Sequence, residues 1–424
     1  MRDLLLTAFV FGTIPFILRN PFIGLLMWVW LGIMNPHRFA WGFATSMPFA
    51  QIVALCTLIA MLVHAKKLNS LPNDRVAIVL VLFVLWLCVS PLFSFHPERE
   101  WALWIRAIKI QFMVLVSLLL VSERRHLHWL TWVLALSVGF FGIKGGVFTI
   151  LTAGANRVWG PPHSFIADNN ALALALLMVV PLFRYLQLHS DNKWVRIGCV
   201  AAMLLCVVSA IGSHSRGAFL ALVAMSFFLF TKGRKKGLIS ALVLLALPLA
   251  WFLMPESWTE RMTSIKTYDE DASAMGRINA WWMAWNLAVD RFPIGGGFAV
   301  VAADVFLRYA PNPEILFTAH SIYFQILGEH GFVGLALFLM VFGFTWLNGG
   351  WVMRSTKGKS ELLWAYDLAS MCQVSLVGYA VGGAFLSLTY FDLPYYIVVI
   401  LIVLRRLVRQ EMESPALVQK AAPA

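Results

Sequence analysis

Four basic side chains interrupt stretches of sequence that are otherwise apolar, and they are the first residues whose chemistry needs an explanation. They are Arg106, Lys109, Lys144 and Arg216. A cation at membrane depth costs about 3 kcal/mol on insertion scales, so it normally faces a partner or a wet cavity. One such residue alone can snorkel to the headgroups. Four at similar depth, with no matching acidic side chain in their own runs, predict an anionic ligand such as a lipid-linked phosphate or pyrophosphate.

The elements that must position these cations are apolar helices. The chain of 424 residues is 60% hydrophobic and 13% charged, whereas soluble domains contain about 25% charged residues. Apolar runs recur from Leu4 to Val408, long enough to cross a hydrocarbon core of about 30 Å. We therefore predict an all-α, polytopic membrane protein of about 12 transmembrane helices. The predicted spans are 4–18, 20–34, 47–64, 76–95, 100–121, 127–150, 168–188, 194–212, 214–231, 236–254, 321–348, 362–388 and 392–408.

The net charge of +12 is concentrated in short clusters between apolar runs. This is the pattern of the positive-inside rule, and it argues against nucleic-acid binding because no basic stripe lies on a soluble surface. The loops predicted inside are 65–75, 122–126, 184–196, 231–236, 354–361 and the C-terminal tail. The loops predicted outside are 35–46, 96–99, 152–167, 255–320 and 389–391. Whether the two short runs before residue 35 cross twice or form one broken crossing is left open, and with it the side of the N-terminus.

The domain prediction follows from one long extramembrane segment. Residues 255–320 form a loop that is too long for simple linkage, and its tryptophans and helical pattern predict order. Helices 1–254 precede this loop, helices 321–408 follow it, and 409–424 is a flexible cytoplasmic tail. The five cysteines all lie in apolar runs without metal-ligand spacing or a disulfide framework, and they are predicted to be small buried hydrophobes.

Two motifs flank the end of this loop. One runs from Arg277 through Trp281-Trp282 to Pro293-Ile294-Gly295-Gly296-Gly297, and the other from His320-Ser321 to Leu327-Gly328-Glu329-His330-Gly331. With Ser215-Arg216-Gly217 they resemble the signature of the O-antigen ligase and O-antigen polymerase superfamily. The N-terminal part, with Asn35-Pro36-His37-Arg38, resembles probable O-glycosylation ligases associated with exosortase systems.

The resemblance implies a multi-span glycosyltransferase that uses a lipid carrier in the bacterial inner membrane, with its active site facing the periplasm. It would transfer a glycan from undecaprenyl pyrophosphate to a hydroxyl of lipid A-core, with inversion and without a metal or cofactor. His320 would act as the base, since histidine is the side chain that titrates near neutral pH. Arg216 and Arg277 would bind the pyrophosphate, because guanidinium groups bind phosphate oxygens in bidentate fashion.

Further residues are predicted around that core. The predicted substrate-binding residues are Arg106, Lys109, Lys144, Arg157, His214 and Arg291. His163, the Asp168-Asn169-Asn170 segment, and His37 with Arg38 face the same side and could line an acceptor path. His320 could instead cap the helix that follows it, and Glu329 could either orient a base or serve the structure.

Two other activities use the same donor, namely protein O-oligosaccharyl transfer and O-antigen polymerisation, and both stay open. A transporter of lipid-linked glycans is a more distant alternative. Midplane acidic residues or symmetric broken helices would favour transport, and the sequence shows neither. The predicted partners are the undecaprenyl-pyrophosphate-linked glycan, lipid A-core and membrane lipids.

Overall fold

A computed structural model describes residues 1–232 and 272–413, and within these ranges the chain is helical and contains no strand. This confirms the all-α prediction for the described part. The α-helices are α1 Arg2–Arg19, α2 Pro21–Met34, α3 Phe49–Val63, α4 Arg75–Val89, α5 Pro97–Leu120, α6 Arg124–Leu151, α7 Asn169–Leu188, α8 Lys193–Gly212, α9 Arg216–Lys232, α10 Ala272–Asp290, α11 Ala303–Tyr309, α12 Ile322–Thr356, α13 Leu363–Gly382 and α14 Asp392–Glu413.

Seven of the described helical segments are long and apolar enough to cross a membrane. They are α4 extended to Phe93, α5, α6, α7, α8, α12, and α13 extended to Phe385. The helices α2 and α3 and residues 216–231 of α9 are apolar but shorter. The chain is thus a polytopic membrane protein. The count of about 12 spans stays a prediction, and the predicted span 236–254 lies outside the described residues.

Loops that the charge pattern assigns to one side meet one another in the structure. The backbone N–H of Phe95 donates to the carbonyl of Gly296 at 3.2 Å. Phe95 is the last residue of a span predicted to end outside, and Gly296 lies in the loop predicted outside. The side-chain amide of Asn69 donates to the carbonyl of Leu119 at 2.9 Å, at the end predicted inside. These contacts fit the predicted alternation, and which end faces the periplasm stays a prediction.

The N-terminus lies at the end where α2 finishes. The carboxylate of Asp3 accepts hydrogen bonds from the backbone N–H groups of Gly42 at 3.0 Å and Ala44 at 3.1 Å. At the other end of the α1–α2 pair, the ring of Phe22 stacks on His126 with centroids 3.9 Å apart. The two helices therefore run in opposite directions, which answers the question that the sequence left open: the N-terminus shares a side with loop 35–46.

Small residues let α6 pack closely against α8. A Cβ atom at Gly142 would lie 2.3 Å from the Cys206 sulfur, and one at Gly146 would lie 2.4 Å from the Leu205 carbonyl oxygen. Such close approach is the usual way in which helices associate where burial of apolar surface gives no driving force. Cys206 is fully buried in this contact, so its predicted role as a small hydrophobe is confirmed.

We expect an impermeant thiol reagent to label a Glu314→Cys variant in intact spheroplasts and to spare a Ser360→Cys variant until the membrane is broken. Both side chains are exposed, and they lie in segments that the basic clusters assign to opposite sides. The wild-type protein, whose five cysteines lie within helices, measures background labelling. The reverse labelling pattern would show that the protein has the opposite orientation in the membrane.

Candidate active site

Helix α10 holds the segment that leads to His320. The Asn279 amide donates to the carbonyls of Asn312 at 2.8 Å and Ile315 at 3.0 Å, and its oxygen accepts from the Asn312 N–H at 2.8 Å. Two residues later, the Trp281 indole N–H donates to the Ala319 carbonyl at 2.6 Å. The chain from 312 to 319 therefore runs along the helix that carries Arg277.

His320 has an unusual backbone conformation at the point where α12 begins. Its φ is 40°, in the left-handed region, where a non-glycine residue costs about 1–3 kcal/mol and persists only when its surroundings impose it. The His320 N–H donates to the Ser387 hydroxyl oxygen at 3.1 Å, and the ring lies 5.4 Å from that of Phe317. The side chain is half-buried, so it is held in place and still reachable.

The electrostatic surroundings of His320 come from two other elements. Burial lowers the pKa of the imidazole from its usual value of 6.5, the positive charge of Arg277 lowers it further, and the negative charge of Asp168 partly opposes both. Asp168 caps α7 through hydrogen bonds from the N–H groups of Asn170 and Ala171. With a lowered pKa, His320 is neutral at pH 7, and a neutral imidazole is the form that can accept a proton.

Arg216 reaches the same region from α9. Gly217 packs on Phe385, where an added Cβ would lie 3.3 Å from the Phe385 Cβ, and Ser387, which binds the His320 backbone, follows two residues later. Arg216 and His320 therefore border one short segment after α13. The three predicted catalytic residues come from three separate elements that meet at this end of the protein.

Two of the predicted substrate-binding residues make hydrogen bonds to backbone carbonyls that hold the structure together. The His214 ring donates through Nε2 to the Gly154 carbonyl at 2.9 Å, and the ring is buried. Arg291 donates to the Phe93 carbonyl at 2.7 Å. It follows the last residue of α10, about 20 Å from Arg277 at a helical rise of about 1.5 Å per residue. Burial lowers the pKa of the Arg291 guanidinium.

Arg106 has a carboxylate nearby that the sequence did not reveal. Its guanidinium lies 4.0 Å above the Phe165 ring, and its charge interacts with those of Asp392 and Arg38. Asp392 is buried at the start of α14. A carboxylate of another helix therefore acts on the charge of Arg106, and the binding of an anionic ligand by Arg106 stays a prediction. Lys109, one turn further along α5, is exposed.

A buried polar network follows His320 along α12. The Glu329 carboxylate accepts hydrogen bonds from the Gln325 amide at 3.0 Å and from the Tyr390 hydroxyl. Since that hydroxyl has one proton, His330 must donate to its oxygen through Nε2 at 2.5 Å and accept from the Ser90 hydroxyl at Nδ1, 2.6 Å away. These contacts place Glu329 in this network rather than on His320, and they favour a structural role for it.

The glycines of both motifs have a shared purpose that the sequence did not reveal. Helix α12 breaks at Gly331, where φ is 67°. The N–H groups of Gly296 and Gly297 donate to the carbonyls of Gly328 and Glu329, each at 2.9 Å. Because of the break, these carbonyls accept no hydrogen bond within the helix, and the N–H groups of the glycine run donate to them instead. These hydrogen bonds join two parts of the site. Helix α10 carries Arg277, and the glycine run that follows it is bonded to α12, the helix that begins after His320.

Comparison with known families identifies part of the chain. Residues 201–339 match the family model of the O-antigen ligases. This part of the chain belongs to the O-antigen ligase superfamily. Residues 1–191 match a family of unknown function, and no curated protein matches the chain. Among solved structures, a chain from one described as "Structural coordination of polymerization and crosslinking by a peptidoglycan synthase complex" is 17% identical with a TM-score of 0.38, over 79% of this chain and 96% of that one.

The range that matches the O-antigen ligases contains Arg216, Arg277 and His320. The match supports glycan transfer of the ligase or polymerase type. The resemblance of the N-terminal part to exosortase-associated ligases stays a prediction. The prediction that transfer needs no metal also stays a prediction.

The break in α12 leads to a prediction about stability. A Cβ at Gly331 would lie 2.4 Å from the Pro293 carbonyl oxygen, whereas one at Gly343, on the same helix, would meet nothing within 4 Å. We expect Gly331→Ala to lower the thermal unfolding midpoint of the detergent-solubilised protein, because a strained φ alone costs about 1–3 kcal/mol. Gly343→Ala is the matched control and should leave the midpoint equal or slightly higher, since alanine favours helix. Equal midpoints for both variants would show that the break does not need glycine.

Proposed function

We propose that this protein is an O-antigen ligase that transfers a glycan from undecaprenyl pyrophosphate to a sugar hydroxyl of lipid A-core at the periplasmic face of the inner membrane. The observation that carries the proposal is the position of His320. It lies within the electrostatic reach of a guanidinium, Arg277, and a carboxylate, Asp168, beside the segment that Arg216 also borders. A base next to phosphate-binding groups is what this transfer requires.

In the proposed reaction, neutral His320 takes the proton of the acceptor hydroxyl as its oxygen attacks the anomeric carbon. The new bond joins that oxygen to the carbon, while the bond from the carbon to the pyrophosphate breaks and its electron pair leaves with the phosphate. Attack from the face opposite the leaving group inverts the anomeric centre. The negative charge that grows on the leaving group is met by Arg216 and Arg277.

Asp168 would stabilise the imidazolium that His320 becomes during transfer, since its charge already raises the pKa of that ring. We expect turnover to fall as the pH drops through the lowered pKa of His320, below its usual 6.5, because protonation removes the base. Asp168→Asn removes the group that raises the pKa, so the acid limb should move to lower pH while asparagine keeps the helix cap.

The measurement is a pH profile of turnover for wild type, Asp168→Asn and Asp191→Asn. Asp191 is an exposed residue between α7 and α8, and its variant should follow the wild-type profile. A profile of Asp168→Asn that matches wild type, or moves to higher pH, would contradict the role assigned to Asp168.

A deletion strain distinguishes the proposed ligase activity from the two other activities that use the same donor, O-antigen polymerisation and protein O-oligosaccharyl transfer. A ligase predicts that the strain loses polymeric glycan from lipid A-core on lipopolysaccharide gels and accumulates it on the lipid carrier. Glycan of normal attachment but single-repeat length would instead indicate a polymerase. Lost glycoprotein staining with a normal lipopolysaccharide ladder would indicate a protein O-oligosaccharyltransferase. Unchanged glycans on all three acceptors would reject transfer altogether.

A further inference from the structure

A cavity of about 310 Å³ lies near the start of the loop that follows α6. Two cations line it, Lys144 from α6 and Arg157 from the loop, together with the aromatic rings of Phe39, Phe141, Phe148 and Trp159. No acidic residue is among its lining residues. Within the described ranges, neither cation makes a hydrogen bond or an ion pair; Lys144 lies 5.9 Å from the centre of the Phe39 ring. The lining thus suits an anion attached to an apolar body.

The cavity opens beside a surface suited to lipid. Phe140, Ile143, Val147 and Ile150 are exposed, and their spacing of three or four residues places them on one face of α6. Lys144 lies next to this stripe, and Phe148, which lines the cavity, adjoins it. An occupant with an acyl chain on the stripe would therefore bring its headgroup to Lys144 and Arg157.

The loop connects this cavity with the proposed active site, whose predicted catalytic residues do not line the cavity. Residues 157–162 form part of the cavity wall, and the N–H of Gly160 donates to the Ala167 carbonyl at 3.1 Å. The next residue is Asp168, whose negative charge raises the pKa of His320. Neither His320 nor Arg216 nor Arg277 lines the cavity.

The absence of the three predicted catalytic residues from the cavity lining indicates which lipid the cavity suits. The donor's pyrophosphate is bonded to the carbon that is attacked, so it must lie beside His320. A phosphate on the acceptor is not bonded to the reacting hydroxyl and can bind at a distance from it. We propose that Lys144 and Arg157 bind the phosphate of a lipid-anchored acceptor, so that the protein has two phosphate sites, one for each lipid. The inference rests on the proposed function and makes the acceptor a phosphorylated glycolipid.

The test combines a double variant, Lys144→Gln with Arg157→Gln, and two acceptors, lipid A-core with its phosphates and the same lipid after enzymatic dephosphorylation. With the phosphorylated acceptor we expect the double variant to raise the acceptor KM by about 10- to 100-fold, the usual effect of lost hydrogen bonds to a charged group. The donor Kd should stay within about twofold of wild type on the same reasoning. With the dephosphorylated acceptor, wild type and variant should have the same KM.

The matched control is Lys193→Gln with Arg196→Gln, which removes the same charge from exposed positions on α8 and should leave both constants at the wild-type value. A raised donor Kd with a normal acceptor KM would assign the cavity to the donor and overturn the proposal. An acceptor KM that is the same for wild type and double variant, or the same with and without the acceptor phosphate, would also overturn it.

Binding without donor separates this proposal from the proposed function. Vesicles that contain phosphorylated lipid A-core should bind wild type more tightly than vesicles with the dephosphorylated lipid, and the double variant should lose that preference. If wild type binds with this preference yet transfers nothing, the proposed function fails and the lipid-phosphate site stands. If transfer occurs and wild type shows no preference, the site fails and the function stands.

Discussion

We expect the replacement of His320 by alanine to lower turnover by about 10² to 10⁴, the usual contribution of a general base, while the lipid-linked donor still binds. The reason lies in the division of labour at the site. In the proposed reaction the arginines meet the charge of the donor, whereas His320 acts on the incoming hydroxyl and is kept neutral by its lowered pKa. Turnover is measured with purified protein, a labelled undecaprenyl-pyrophosphate glycan and acceptor, and donor affinity with the same labelled glycan alone.

His163→Ala is the matched comparison for this variant. His163 is exposed, lies on the loop between α6 and α7 and also has a positive φ, of 60°. Its variant therefore measures the effect on turnover of replacing a histidine with a strained backbone elsewhere in the protein. It should retain turnover. Near-normal turnover of His320→Ala would leave His320 as a helix cap, with His163 as the next candidate base. Loss of donor binding in His320→Ala would place the ring on the pyrophosphate instead.

Arg216→Ala and Arg277→Ala should each reduce transfer by about 10² to 10³, since a charge contact that tightens in the transition state contributes that much. The two lysine variants should also fail, because a point charge does not replace the bidentate fork of a guanidinium. Protein in the membrane fraction is quantified beside turnover, so that loss of chemistry is separated from loss of protein.

Arg308→Ala is the control for the arginine variants. Arg308 lies in the same extramembrane region, and its ion pair with Asp290 at 3.1 Å is exposed, so its loss should cost little. The Arg277 variant carries a second readout. Because Arg277 lowers the pKa of His320, the acid limb of any residual activity should move to higher pH. Wild-type rates in Arg216→Ala and Arg277→Ala would show that the pyrophosphate binds elsewhere.

The helices are the part of this protein that the sequence determines most directly. The predicted spans 168–188 and 194–212 correspond to α7, Asn169–Leu188, and α8, Lys193–Gly212. Asp168 and Asn192 cap these helices through their side chains. Composition and caps are local signals, so they can be recognised without knowing what the helix packs against. The ordered helix α10 within the long loop was likewise predictable from its own pattern.

Some properties of single elements were predicted only in part. The run 321–348 was expected to end where its apolar composition ends, yet α12 continues to Thr356, because helical geometry does not stop at a change of polarity. The break at Gly331 inside this helix was not expected. It depends on hydrogen bonds from Gly296 and Gly297, which a local pattern cannot report.

The site residues divide in the same way. His320, Arg216 and Arg277 could be named from motifs, since each lies in a short recognisable segment. Their meeting point could not, because spacing along a chain determines neighbours only within a helix. Only the tertiary structure brings Asp168 to His320 across some 150 residues of chain. Only it sets Lys144 and Arg157 in a separate cavity, since the loop between two helices decides which cations share a site.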